Sequence, residues 1–191
     1  VGIVIGTRPD CVSDELLDYL EDLNRLTFLI VEYGVESVND ETLQRINRGH
    51  TFEQSRLAIE NTHQRGILTG AHIIIGLPGE DAQENLRQAP VSSSLPIDIL
   101  KIHQMQIIQG TRLAAEFERN PFHIYNIDEY IRLIANYIQR LRKDLVLERF
   151  VSQSPKNLLI APHCGLKNHE FTDLLNNYLK QHNIQQGDLS E

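Results

Sequence analysis

Apolar and polar positions follow two rhythms along the chain, and the rhythm changes from segment to segment. Residues 1–7 form a continuous apolar run, the pattern of a buried strand, and Arg8-Pro9-Asp10 reads as the turn after it. Ser13 precedes Leu16, Leu17, Leu20 and Leu23, a helical stripe behind an N-cap residue. A second strand is predicted over residues 27–33. Asn39 caps a short helix expected to stop at Gly49, and Thr51 with Gln54 forms a capping box for a helix that Gly66 ends. Residues 68–75 read as a third strand. Asp81 and Glu84 start a helix that Pro90 is expected to cut or kink, because proline lacks an N–H and clashes one turn back. A fourth strand lies within 97–108. A second capping box, Asn126 with Glu129, precedes the stripe Ile127, Ile131, Ile134, Ile138 and Leu141. Residues 145–151 give a fifth strand, 158–161 another short one, and 170–182 a closing helix; the polar tail from Gln185 is expected to fray.

Strands alternating with helices predict right-handed βαβ units and a parallel sheet, hence an α/β fold. Four or five strands are too few to close an eight-stranded barrel and suit part of a smaller, open one.

Composition narrows the class. The chain has 191 residues, 41% of them hydrophobic, enough for a core. A net charge of −8 without a basic block argues against strong non-specific nucleic-acid binding, though not against an RNA substrate held mainly elsewhere. Two cysteines, Cys11 and Cys164, give no disulfide framework and point to a reducing, cytoplasmic setting. No apolar run approaches the ~20 residues of a membrane span. Val1 opens the chain inside an apolar strand, so the sequence is expected to be a piece cut from a longer protein. Such a strand would have an unpaired edge, and self-association through it is expected.

Alternation along each strand separates an aliphatic face from one that mixes glycine with charged or imidazole groups. Thr69, Ala71, Ile73 and Ile75 oppose Leu68, Gly70, His72, Ile74 and Gly76; Leu29, Val31, Tyr33 and Val35 oppose Phe28, Ile30, Glu32, Gly34 and Glu36. Ile99, Lys101, His103 and Met105 share a side of the fourth strand. Charges at strand centres need a cavity or partners. The expectation is a polar lumen lined by Arg8, Glu32, Glu36, His72, Lys101 and His103, with glycines 6, 34, 70 and 76 leaving room for a ligand. The same residues could instead form structural ion pairs, such as Glu32 with Lys101. Gly76-Leu77-Pro78-Gly79 sits at a strand end, where α/β sheets bind ligands, and is also a tight turn. Arg48 could clamp a carboxylate or simply lie near a helix C-terminus. His163, Cys164 and His169 match no zinc spacing, so no metal site is assigned.

In order and spacing, Val31-Glu32-Tyr33-Gly34-Val35-Glu36-Ser37, Asp40-Glu41-Thr42-Leu43, Arg45-Ile46-Asn47-Arg48-Gly49-His50-Thr51 and His72-Ile73-Ile74-Ile75-Gly76-Leu77-Pro78-Gly79-Glu80 resemble the radical S-adenosylmethionine (SAM) superfamily. The likeness is to its anaerobic coproporphyrinogen oxidases and Elongator catalytic subunits. Gly6-Thr7-Arg8-Pro9-Asp10 and Lys101-Ile102-His103 make it similar to a bacterial branch of Fe-S oxidoreductases. The resemblance implies the C-terminal part of a partial (β/α)₆ TIM-like barrel, residues 1–120, followed over 121–191 by final helix and strand elements and a C-terminal extension. It implies SAM and a [4Fe–4S] cluster as cofactors of the full-length enzyme. The cluster-binding Cys-x-x-x-Cys-x-x-Cys loop is not in this sequence, so this chain alone is expected to hold no cofactor tightly and to be inactive. The resemblance further implies SAM contacts at Arg8, Glu36, Arg48, His72, Gly76, Leu77, Pro78 and Gly79. Glu32 would lie on the substrate side, with His103 and Lys101 as candidate catalytic groups. Gly6 replaces a carboxylate of the porphyrinogen enzymes. The substrate, a small molecule or a tRNA, is left open. Two other readings stand beside this one: a complete α/β lyase using Lys101 as a Schiff-base nucleophile, and a non-catalytic interaction module.

Overall fold

The computed structural model describes residues 1–163 and 165–190. Its strands are β1 (Gly2–Thr7), β2 (Phe28–Glu36), β3 (Leu68–Ile75), β4 (Ile99–Gln104), β5 (Ile107–Ile108), β6 (Val146–Arg149) and β7 (Leu159–Ala161). Its helices are α1 (Asp14–Leu26), α2 (Asp40–Arg45), α3 (Phe52–Gln64), α4 (Ala82–Ser94), α5 (Arg112–Arg119), α6 (Ile127–Ile138) and α7 (Asn168–Gln181). The main sheet has five strands in the order β1-β2-β3-β4-β6, all neighbours parallel, while β5 and β7 pair antiparallel. The expected parallel α/β sheet is therefore present, and it is open.

Local chemistry starts most helices where the sequence placed them. Leu16 N–H donates to Ser13 Oγ at 3.2 Å, and Glu84 N–H to Asp81 Oδ1 at 2.8 Å. Both capping boxes form, Thr51 with Gln54 and Asn126 with Glu129. Each satisfies donors that the first helical turn would otherwise leave unpaired.

The helices cover one face of the sheet. Leu29, Val31, Tyr33 and Val35 of β2, Ala71, Ile73 and Ile75 of β3, and Leu100 and Ile102 of β4 pack there. Their partners include Leu17 of α1, Ile59 of α3, Ala89 of α4, Ile134 of α6 and Phe171 of α7. Burying each large aliphatic or aromatic group stabilises by about 1.5–3 kcal/mol, so a one-residue slip of any strand would be prohibitive. The opposite face is left for polar side chains.

Three sequence expectations are corrected and one helix is added. Helix α4 is not cut at Pro90 but continues to Ser94, because Ala89 and Ser92 beside it are fully buried and Ser92 Oγ lies 3.3 Å from the Tyr137 hydroxyl of α6. Packing there outweighs the one missing backbone bond. Helix α2 ends at Arg45 rather than Gly49, since Asn47 takes φ 56° and turns the chain early. Helix α5 was not anticipated; its signal was Thr111, whose hydroxyl accepts from Ala114 N–H at 3.1 Å. The tail does not fray: Gln186 Nε2 donates to the Arg142 and Leu145 carbonyls at 2.7 and 2.8 Å, and Leu189 N–H to Gln139 O at 2.8 Å.

Strand β1 is an edge, with β2 alone beside it, and Val4 and Phe28 on the face away from the helices are 57% and 58% exposed. Among the described residues no helix is long and apolar enough to cross a membrane.

The docked tail gives a direct test. Gln186→Ala removes two hydrogen bonds to loop carbonyls and should lower stability by about 1–2 kcal/mol in urea unfolding. An unchanged midpoint would mean that the tail is loose in solution.

Candidate active-site cavity

The face of the sheet opposite the helices carries a buried charge cluster. Parallel register sets Glu32 beside Gly70 and His72 beside Lys101. Lys101 Nζ lies 2.7 Å from Glu32 Oε1, and His72 Nε2 lies 3.1 Å from Glu32 Oε2. A register shift between β4 and β6 leaves Glu148 as the extra residue, and its carboxylate reaches Lys101 Nζ at 3.1 Å. The Glu32 and Lys101 side chains are 7% and 11% exposed, so each charge depends on the other. This is the ion pair that the sequence left open as a structural alternative.

The protonation states follow. Burial alone would raise the Glu32 carboxyl, but hydrogen bonds from Lys101 and His72 outweigh it and hold it below the usual range. Burial would lower the Lys101 ammonium, yet Glu32 and Glu148 overcome that and raise it. A Lys101 whose ammonium is favoured by two carboxylates is a poor Schiff-base nucleophile, which counts against the lyase reading. Burial lowers His72 despite Glu32, and lowers His103 to about 4, helped by the charges of His72, Arg149 and Lys101. The two imidazole rings lie 5.4 Å apart, and His103 Nδ1 is bonded to Ser152 Oγ. His103 is thus neutral at pH 7, able to accept or pass on a proton.

A second cluster forms at the end of β2. The strand bulges between Gly34 and Glu36, Glu36 takes φ 71°, and its carboxylate meets Arg48 Nη2 at 3.1 Å. Arg48 also donates to the Gly34 carbonyl at 2.8 Å and to His50 Nε2 at 3.0 Å. The early end of α2 turns Arg48 back toward the sheet. Burial raises the Glu36 carboxyl, with Arg48 only partly offsetting it.

The turn after β3 is held from below. Gly76 N–H donates to Asn85 Oδ1 at 3.0 Å, and Asn85 Nδ2 donates to the Asp81 carbonyl at 2.7 Å. Buried Glu80 accepts from Ser37 Oγ at 2.5 Å and Gln88 Nε2 at 2.8 Å, tying the loop after β2 to α4. Gly76 and Gly79 have φ 88° and 97°, values that favour glycine.

These groups border a cavity of about 600 Å³. Glu36, His72, Leu77, Pro78 and His103 line it, as the sequence suggested. Reasoning from sequence missed Arg45, Met105's neighbours Gln104 and Gln106, Ser152, and Arg112 and Glu116 of α5. The α5 cap was the available signal; the serines carried none, because a loop far along the chain brings them in.

Three expectations about the lumen change. The glycines do not reserve ligand space: Arg48 fills the place of a Gly34 Cβ, a Gly70 Cβ would lie 2.9 Å from Glu32 Cγ, and one at Gly76 would lie 3.1 Å from the Tyr125 ring. Only at Gly6, among those four, does nothing lie within 4 Å. Arg8 is not in the lumen; its guanidinium pairs with Asp10 at 2.5 Å and is 44% exposed. Lys101, Arg48, Gly76 and Gly79 are not among the residues lining the cavity, though Arg48 pairs with Glu36 at its border. Cys11 is exposed, and Cys164 lies outside the described residues. Among the described residues no three or more His, Cys, Asp or Glu converge to hold a metal ion.

Comparison with known proteins agrees with this architecture. Residues 1–87 match the family model described as the radical SAM superfamily, and residues 97–181 match the radical SAM C-terminal domain. The chain is 31% identical over 187 residues to uncharacterized protein YtqA of Bacillus subtilis, spanning 98% of this chain and 58% of YtqA. It is 25% identical over 187 residues to tRNA uridine(34) acetyltransferase of Methanocaldococcus jannaschii, spanning 96% of this chain and 34% of that one. The structure of Methanocaldococcus infernus Elp3 with an N-terminal deletion superposes with a TM-score of 0.85 at 23% identity, covering 97% of this chain and 43% of that one. The fold is the partial TIM-like barrel of Elp3.

Two measurements probe the buried charges. Glu32→Ala leaves Lys101 with only the half-exposed Glu148 as partner and should cost about 2–4 kcal/mol in urea unfolding, whereas Glu32→Leu with Lys101→Met should recover most of that loss. His103 binds its proton near pH 4 when folded and near 6.5 when unfolded, so its contribution is present above pH 6.5 and lost as pH falls toward 4. His103→Asn should therefore lose less stability than the parent between about pH 7 and pH 5. Equal losses would show that His103 is solvated.

Proposed function

Because the chain belongs to the radical SAM superfamily, we propose that it forms the SAM- and substrate-facing wall of a radical SAM enzyme whose iron–sulfur cluster is bound by residues outside these 191. The observation that carries this reading is the juxtaposition, on one cavity of about 600 Å³, of a fixed Glu36–Arg48 corner, an apolar Leu77–Pro78 edge and a His72–His103 pair.

The residues present fit SAM in kind. The Glu36 carboxylate faces the cavity and is an acceptor for ribose hydroxyls, and Leu77 and Pro78 offer an apolar surface for the adenine ring. Arg48 is the cation for the amino-acid carboxylate, and the glycine conformations of Gly76 and Gly79 set the loop against which the base would rest. Two cysteines, one of them exposed Cys11, supply no cluster donor set, so the chain alone is inactive in this reading. When bound, SAM and a reduced cluster would supply radical chemistry for taking a hydrogen atom from a substrate. The chain's own part is to bind, to exclude water and to manage protons. Neutral His103, held by Ser152, serves as a hydrogen-bonding anchor or proton acceptor at the substrate, and Lys101 with Glu32 keeps the adjacent wall rigid.

The separate β1 edge, with exposed Val4 and Phe28, is in our reading the surface through which isolated copies associate.

Calorimetric titration tests the division of labour. SAM should bind this chain more weakly than about 0.1 mM, that is, less favourably than about −5.5 kcal/mol, and Glu36→Ala should abolish the heat. Low-micromolar binding, or binding indifferent to Glu36→Ala, would overturn the assignment. Sedimentation should show concentration-dependent association that Val4→Lys suppresses; a monomer at every concentration would remove the edge contact.

A further inference from the structure

Helix α5 is fastened to the fold more lightly than the helix that follows it. Helix α6 sinks Tyr130, Ile134, Tyr137 and Ile138 into the main core. Helix α5 buries only Ala114. Leu113 and Phe117 join it, half-buried, in a small apolar cluster with Leu77, Met105 and Ile107 that is separate from that core. Phe117 meets the Phe122 ring edge-on, centroids 5.2 Å apart, so the chain just after the helix is packed onto α5 itself.

The segment has a free end and a fixed one. Gly110, with φ 82°, precedes the cap residue Thr111, and nothing lies within 4 Å of where its Cβ would be. That glycine can change conformation without a collision. Beyond α5, residues 121–126 form neither helix nor strand. The chain is held again where His123 Nε2 faces Glu129 Oε2 at 3.3 Å and Gln104 Nε2 donates to the Tyr125 carbonyl at 2.9 Å.

Between these ends, one polar contact ties α5 to another part of the cavity wall. Arg45 Nη2, at the end of α2, lies 2.7 Å from Glu116 Oε1 of α5. Among the described residues it is the ion pair that α5 makes, while the Thr111 and Arg119 side chains bond within the helix or the turn before it. Both partners line the cavity, yet their side chains stay 44% and 38% exposed, so the pair stands where the cavity meets solvent. Arg45 follows β2 and Glu116 follows β4, so the link passes the turn after the intervening strand β3. A Cβ at Gly79 of that turn would lie 3.1 Å from Arg45 Nη1. An exposed pair shifts an equilibrium by roughly 1.5- to 5-fold. That is too little to hold a helix alone, but enough to tip a segment that rests on a small apolar cluster.

We propose that residues 111–122 are a lid on the cavity, hinged at Gly110 and latched by the Arg45–Glu116 pair, and that releasing the latch opens the way in. Opening lifts Leu113 and Phe117 off Leu77 and Met105, and reburial of those groups closes the lid again. That the cavity takes SAM and substrate is the reading given above; the motion of the lid needs neither.

Two measurements on the chain test it. Hydrogen–deuterium exchange reads opening, and acylation of the cavity residue His103 by diethyl pyrocarbonate at pH 7, followed by mass spectrometry, reads entry. In the parent, amides of residues 112–119 should exchange at least tenfold faster than those of α6, and His103 should react more slowly than exposed His63. Glu116→Arg sets two cations against each other and should speed both α5 exchange and His103 acylation at least threefold, with α6 and His63 unchanged. Adding Arg45→Glu re-forms the pair in reverse and should restore both rates. Glu118→Arg, the same charge change at an exposed position of α5, should alter neither by more than about 1.5-fold. Parent α5 amides as slow as those of α6, faster exchange without faster His103 acylation, or a double variant that behaves like Glu116→Arg would each overturn the proposal. Acceleration that extends to α6 would also overturn it, since the pair would then support the whole fold. Neither readout uses SAM, so the calorimetric titration and the lid stand or fall separately.

Discussion

A carboxylate buried on a strand needs a compensating charge, and most of the cavity follows from how Glu32 meets that need. Its two oxygens are taken by Lys101 and His72, one residue from each of the next two strands. The pairing requires three parallel strands in fixed register, a glycine at position 70 to admit the Glu32 side chain, and a bulge in β6 to bring Glu148 to the far side of Lys101. Each is a condition on backbone geometry. Together they make the polar face as specific in register as the aliphatic face beneath the helices.

The consequence for chemistry is a separation of roles. The Glu32–Lys101–Glu148 charges sit beside the cavity, while its own lining mixes imidazole, amide, hydroxyl and apolar groups with the paired charges of Glu36, Arg45 and Glu116 and with Arg112. Burial and the neighbouring cations keep His103 uncharged at pH 7, so it meets the cavity as a neutral hydrogen-bonding group. The loop after β3 is fixed by Asn85 and Glu80 from underneath, so its ligand-facing side is preorganised.

Part of this was legible in the residues. Helix starts at Ser13, Thr51, Asp81 and Asn126 depend on a side chain bonding an amide two or three residues on, a contact written wholly into local sequence. Strand faces at Glu32, His72, Lys101 and His103 were legible because alternation is a property of any extended chain. The glycines were misjudged because sequence shows a missing side chain but not which neighbour takes the space; Arg48, Glu32 and Tyr125 do. Arg8 was misplaced because its partner Asp10 captures it just beyond the strand end.

The sequence by itself determined the α/β class, the helix caps, the two faces of each strand and the family resemblance, since all depend on short-range periodicity and motif spacing. Tertiary structure alone decided that α4 survives Pro90, that the tail docks on α6 and its loop, and that Ser152 and Arg112 join the wall built by β2, β3 and β4. Those outcomes depend on contacts between segments tens of residues apart. Their energies come from buried area and paired polar groups that exist only once the chain has closed on itself.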